Sequence, residues 1–163
     1  MKILKPKTYN LKPGAGFTLI ELLITLSIIV VLGVVGVMYL SDLRVHKILD
    51  NTTKEIVFTL REAQQRSISQ QDEKQWGVYF ENPTSSDDFY ALFYDSYPSG
   101  MISKTHLQRA VIFISPPAGA SSTTIFSKRT GWPTSSTSIT IALSKDTSIN
   151  KIISINEVGN ISY

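Results

Sequence analysis

Gly16-Phe17-Thr18-Leu19-Ile20-Glu21 opens an apolar run in which one acid stands alone. From 17 to 40, 24 residues carry a single formal charge, that of Glu21. As a helix rising about 1.5 Å per residue the run is about 36 Å long, more than the ~30 Å hydrocarbon core of a bilayer. A carboxylate in such a segment costs on the order of 2.5–3.5 kcal/mol at mid-membrane and less toward the interface. Glu21 therefore demands a cationic partner, and 17–40 reads as a membrane-spanning helix.

The rest of the sequence offers little for catalysis. His46 and His106 are the two histidines, and there is no cysteine. Neither thiolate ligands nor a matched His-Glu spacing is present, so no metal site is expected from them. Asp87-Asp88, with Glu81 and Asp95, is a hard-oxygen set of the kind that suits Ca²⁺. The same residues also read as a solvated acidic hairpin loop. No Gly-rich phosphate loop and no nucleophile elbow occurs. The expectation is a chain that is not an enzyme and holds no cofactor.

The elements that carry these residues follow from periodicity. No proline lies between Pro13 and Pro83. After Asp42 the positions Val45, Ile48, Leu49, Thr52, Ile56, Leu60, Ala63 and Ser67 recur in steps of three and four. Arg44, Lys47, Asp50, Lys54, Arg61 and Glu62 take the other side, which describes an amphipathic helix with one stripe to bury. The two halves predict one helix from about 17 to 70. Gly33 and Gly36 are its soft points, since glycine costs a helix about 1 kcal/mol against alanine. They supply either a bend or local melting, or close approach between membrane helices.

Beyond the helix the chain reads as short strands: 75–81, 89–95, 110–114, 123–128, 138–143, 151–156 and 160–163. A helix followed by strands predicts an α+β domain, with an antiparallel sheet covering the helix stripe. Alternation places Trp76, Val78 and Phe80 on one face, opposite aromatics of 89–94, as core. No basic residue lies between Gln75 and Tyr97, which argues against a nucleic-acid groove there.

The motif Gly16-Phe17-Thr18-Leu19-Ile20-Glu21-Leu22, entered through Lys12-Pro13-Gly14-Ala15, resembles the cleavage and methylation site of type IV prepilins and pseudopilins. That resemblance implies a cut after Gly16 by a prepilin peptidase and N-methylation of the new terminus on Phe17. It also implies pairing of Glu21 with the Phe17 amine, in the family usually that of a neighbouring subunit. The domains would be a leader over 1–16, a transmembrane or filament-core helix over 17–40, an amphipathic continuation over 41–71 and a β-rich extracytoplasmic domain over 72–163. Four of the 16 basic residues, Lys2, Lys5, Lys7 and Lys12, lie in the leader. By the positive-inside rule they mark its side as cytoplasmic, and the mature chain is left with about one net negative charge.

The finer pattern, from the helix end at Arg61-Glu62-Ala63 to the closing Ile152-Ile153-Ser154-Ile155-Asn156-Glu157-Val158-Gly159, is similar to the H-type minor pseudopilins of type II secretion. FimT-type minor pilins share it. Cysteine, which closes a loop in many major pilins, is missing here. Some fimbrial relatives bind DNA through bases near the C-terminus, but no base follows Lys151, and Asn160 stands where arginine usually follows the glycine. Many pilins have a helix-breaking proline at the position of Met38. Major pseudopilins bind Ca²⁺ near the C-terminus, where this chain offers only Asp146 and Glu157. The resemblance thus implies a structural minor pseudopilin of a type II secretion pseudopilus, single-pass in the bacterial inner membrane, or alternatively a minor type IV or competence pilin. Its partners would be other pilin or pseudopilin subunits, the prepilin peptidase and the inner-membrane assembly platform, with nucleic acid not expected.

Overall fold

The computed structural model describes residues 16–163; the side chains of residues 35–42 lie outside the described residues, as do residues 1–15 of the expected leader. Helix α1 covers Leu19–Ile68. Two compact units divide between Leu40 and Ser41, the second being Ser41–Tyr163.

In the first unit the large apolar side chains described from Leu19 to Val34 are all exposed in the single chain. Its hydroxyls are satisfied within the helix: Thr25 Oγ1 donates to the Leu22 carbonyl at 3.0 Å and Ser27 Oγ to that of Ile24 at 2.7 Å. Among the described residues no helix is long and apolar enough to cross a membrane. The run 17–40 that the sequence marks as spanning extends into 35–40, whose side chains lie outside the described residues.

In the second unit α1 buries the stripe that its periodicity predicts. Leu49, Thr52, Ile56, Leu60, Ala63 and Ser67 are buried, with Val45 and Ile48 packed at the margin. The helix ends without glycine or proline: Gln70 takes a left-handed conformation (φ 52°), and a short 3-10 turn, Gln71–Glu73, follows.

Eight strands follow: β1 (Trp76–Asn82), β2 (Phe89–Tyr94), β3 (Met101–His106), β4 (Val111–Ser115), β5 (Ala120–Phe126), β6 (Thr137–Leu143), β7 (Asn150–Ile155) and β8 (Ile161–Ser162). They form two antiparallel four-stranded sheets, in the orders β3-β2-β1-β5 and β4-β6-β7-β8. The architecture is α+β, an N-terminal helix followed by antiparallel sheets, though two sheets stand where a single one was expected. The division comes from β5, which pairs with β1 rather than with β4. Strand β3 was not anticipated. All six of its residues are exposed, so Met-Ile-Ser-Lys-Thr-His has no buried side to write an alternation into the sequence.

One core joins α1 to both sheets. Trp76, Val78 and Phe80 of β1 and Tyr90 and Leu92 of β2 share it with Phe113, Ile139, Ile141, Ile153 and Ile155 of the second sheet. Phe80 meets Tyr90 at 6.4 Å and, edge-on, Phe113 at 5.9 Å between ring centroids. The opposite face of the first sheet carries its own aromatic layer. Tyr97, from the loop after β2, stacks on Tyr79 at 3.9 Å and meets Phe93 edge-on at 6.1 Å.

Candidate functional site

The start of α1 is built by Thr18. The Glu21 N–H donates to Thr18 Oγ1 at 3.3 Å, and the Leu22 N–H donates to the Thr18 carbonyl at 3.1 Å. Thr18 is thus the N-cap, and Thr18-Leu19-Ile20-Glu21 has the spacing of a capping box. Glu21 also sits in the first turn, where a carboxylate complements the positive end of the helix dipole. The sequence carried this Thr-x-x-Glu signal, but the charge of Glu21 drew the reading away from it.

Phe17 precedes the cap and is 83% exposed. Glu21 follows it by four positions, but Phe17 lies outside the helix, which begins at Leu19, so the one-turn spacing that a continuous helix would give the two is not formed here. A Cβ added at Gly16 would meet nothing within 4 Å. No packing among the described residues requires glycine there. Gly33 is equally open, with nothing within 4 Å of an added Cβ. The surroundings of Gly36 lie outside the described residues.

Other sequence candidates have different roles. His46 is exposed on α1. His106 ends β3, its Nδ1 3.4 Å from the Asp87 carbonyl and its ring 5.6 Å from that of Phe89. Among the described residues no group of three or more His, Cys, Asp or Glu could hold a metal ion. Asp87 is exposed, but Asp88 is not part of a solvated loop: it is 9% exposed, and its Oδ2 accepts the Phe113 N–H at 2.6 Å. Burial pushes its carboxyl above the usual carboxylate range and the neighbouring Asp87 charge adds to this, while the bond from Phe113 works the other way.

Two bases of the second unit are already engaged. Lys128 Nζ donates to the Glu73 carbonyl, and Lys104 Nζ lies 3.6 Å from the centre of the Phe89 ring.

A junction at the C-terminal end of α1 explains the closing glycine. Gln64 Nε2 donates to the carbonyls of Gly131 and Gly159, at 3.0 and 2.8 Å. Gly159 has φ +79°, and a Cβ there would lie 2.6 Å from Gln64 Nε2 and 2.7 Å from the Gly131 carbonyl oxygen. Both the left-handed backbone and the lack of space call for glycine. One amide thereby ties α1 to two loops that lie 67 and 95 residues away in sequence.

Residues 12–37 match the prokaryotic N-terminal methylation motif. No curated protein matches the chain. Among solved structures it is similar to the type IV minor pilin FimU of Pseudomonas aeruginosa (strain PAO1). The identity is 14%, the alignment covers 70% of this chain and 90% of that one, and the TM-score is 0.50. The chain is prepilin-like, with a pilin fold. The prepilin-like segment is the one that Thr18 caps and Glu21 closes; the pilin-like fold is the α+β architecture that follows.

Proposed function

We propose that this chain is a structural minor subunit of a pilin-type filament, matured by cleavage between Gly16 and Phe17 and N-methylation of Phe17. The observation that carries this reading is the methylation motif over 12–37 set at the start of a capped helix, with Glu21 in its first turn. Cleavage places an ammonium at Phe17 in apolar surroundings, and at low dielectric Glu21 attracts it or that of an adjacent subunit strongly. The segment 17–40 anchors the chain in the inner membrane, and the domain beyond it lies outside the cytoplasm. Other pilin-like subunits, the prepilin peptidase and the assembly platform are its partners. Its role is assembly rather than catalysis.

For the machine, we favour a type II secretion pseudopilus, on the H-type pattern of the closing strands. A second reading, a minor pilin of a type IV or competence pilus, has its own support in the likeness to FimU. Intact-mass analysis tests the processing on which both depend. In cells with an active prepilin peptidase the mature chain should lack residues 1–16 and carry one added methyl group, and a bulky replacement of Gly16 should leave the leader attached. A full-length, unmethylated species in membranes would overturn the proposal. Deleting the secretion-channel genes or the pilus genes of the host separates the two machines: the chain should lose its assembly partners in only one of the two backgrounds.

A further inference from the structure

The domain is close to neutral, but its charges are segregated. On α1 the side chains of Arg44, Lys47, Lys54, Phe58 and Arg61 are exposed, and the four bases lie within about 60° of Phe58 around the helix. None of these four bases takes part in an ion pair among the described residues, where the pairs are Arg66–Glu62 and Lys151–Asp50. Phe58, at the centre of the face, is 69% exposed. Beside it a groove of about 430 Å³ runs between Lys54, Glu55, Phe58 and Thr59 of α1 and Tyr90 and Thr105 of the first sheet.

The opposite charge is concentrated in one segment. From 72 to 95 the chain carries Asp72, Glu73, Glu81, Asp87, Asp88 and Asp95 against Lys74 alone. Asp72, Glu73, Asp87 and Asp95 are exposed and Glu81 is half-buried. The buried stripe of α1 shares one core with Trp76, Val78 and Phe80 of β1, and Glu81 alternates with Phe80 along that strand.

We propose that the α1 face centred on Phe58 docks on the carboxylate-bearing β1–β2 ribbon of a second copy of this chain. Two different, complementary surfaces on one chain make a heterologous contact, which propagates as an open helical array unless its rotation closes a ring. An exposed aromatic beside a groove and flanked by arginines has the make-up of an interface hot spot, and the segregated charges set partner and register. Glu55 and Glu62 lie beside Arg44 at one margin of this face, which disfavours a continuous polyanion such as DNA and leaves an acidic partner to face Lys47, Lys54 and Arg61. This contact is separate from the amino-terminal processing.

The full-length chain in membranes serves for the test, because its lack of cysteine makes introduced thiols unique. Two differently tagged copies are co-expressed, one carrying Asn51→Cys, exposed on the same face and leaving Phe58 in place, and the other Ser85→Cys or Ser96→Cys, at the two ends of the ribbon, and treated with a bismaleimide. Crosslinks between the two tags are expected at one ribbon end. Lys54→Glu with Arg61→Glu should reduce them about tenfold, and Asp87→Lys with Asp95→Lys in the opposite copy should restore them. No crosslink at either end, crosslinks indifferent to charge reversal, or dominant pairing of Asn51→Cys with itself would each overturn the proposal. So would retention of duplex DNA by the solubilised chain at about 0.15 M salt that is lost with Lys54→Glu and Arg61→Glu. Leader removal, measured in the same samples, should be unchanged by all these variants, so failure here is distinct from failure of the processing.

Discussion

The carboxylate of Asp88, the residue before β2 of the first sheet, accepts the backbone N–H of Phe113, in the second, at 2.6 Å. The carbonyl of the same Phe113 accepts from Asn82 Nδ2 at 3.0 Å, and that amide also reaches the Pro116 carbonyl at 3.0 Å. Strand β4 is the edge of its sheet, and an edge leaves backbone groups in need of partners. Here two side chains of the neighbouring sheet supply them. The seam between the sheets is therefore fixed by polar bonds as well as by the Phe80–Phe113 contact.

Asp88 should make this seam pH-sensitive in a defined direction. Its carboxyl is raised, chiefly by burial, so between the unfolded value and the higher folded one the native chain binds more protons. Stability contributed by this group is present on the acid side and falls as pH rises through that window. Asp88→Asn keeps an acceptor for the Phe113 N–H and removes the buried charge. Urea unfolding at several pH values, followed by tryptophan fluorescence, should show the wild type losing ground to Asp88→Asn as pH rises from about 4 toward 7. Asp88→Ala, which orphans the N–H, should cost about 1–3 kcal/mol. A difference between wild type and Asp88→Asn that does not change with pH would refute the assignment.

Thr124 should be the cheapest place to stabilise the domain. Its residue is 1% exposed on β5, and its Oγ1 has no hydrogen-bond partner among the described residues. Thr124→Val keeps the shape and replaces a desolvated hydroxyl by a methyl group. The expected gain is about 1 kcal/mol, read as a higher urea midpoint with an unchanged slope. A loss of stability would mean that the hydroxyl is satisfied in the folded protein.

Gly159→Ala should be costly through both backbone and space. A left-handed alanine costs roughly 1–2 kcal/mol, and the added Cβ displaces Gln64 or Gly131, so a total of at least ~2 kcal/mol is expected. Gln64→Ala removes one of the two obstructions. The double variant should therefore fall short of the sum of the single losses by more than ~0.5 kcal/mol in a double-mutant cycle. Additive losses would show that the junction does not act as one unit.

How much of this was legible depended on whether a residue's role was periodic. The α1 stripe and the Trp76-Val78-Phe80 face repeat at helical and strand spacing, so the sequence states them. Strand β3 repeats nothing, because it is an exposed edge in all six residues. The second sheet was hidden for a different reason: which strand β5 pairs with is a long-range choice that strand propensity does not encode. Asp88 and Asp87 are identical neighbours in sequence, and only the approach of Phe113 separates a buried acceptor from a solvated acid. At the amino terminus the methylation motif was legible, since glycine, phenylalanine and glutamate lie within six residues, but the Thr18 cap in the same stretch was overshadowed by the charge of Glu21.

Glu21→Ala separates the charge of that residue from its place in the helix start. The cap uses the backbone N–H of residue 21 on Thr18 Oγ1, which alanine retains, so α1 should still begin at Leu19. Only the interaction of the carboxylate with the helix dipole is lost, worth about 0.3–1 kcal/mol. Removing a charge from an apolar run also eases membrane insertion. Leader removal and insertion should therefore be normal or improved, while incorporation beside other subunits is impaired because the Phe17 ammonium has lost its counter-charge. Glu21→Gln should behave like the alanine variant, since it restores size but not charge. The measurement is crosslinking of cysteine-tagged neighbouring subunits in membranes together with intact-mass analysis of the processed chain. Wild-type crosslinking by both variants would show that the carboxylate serves the helix start alone.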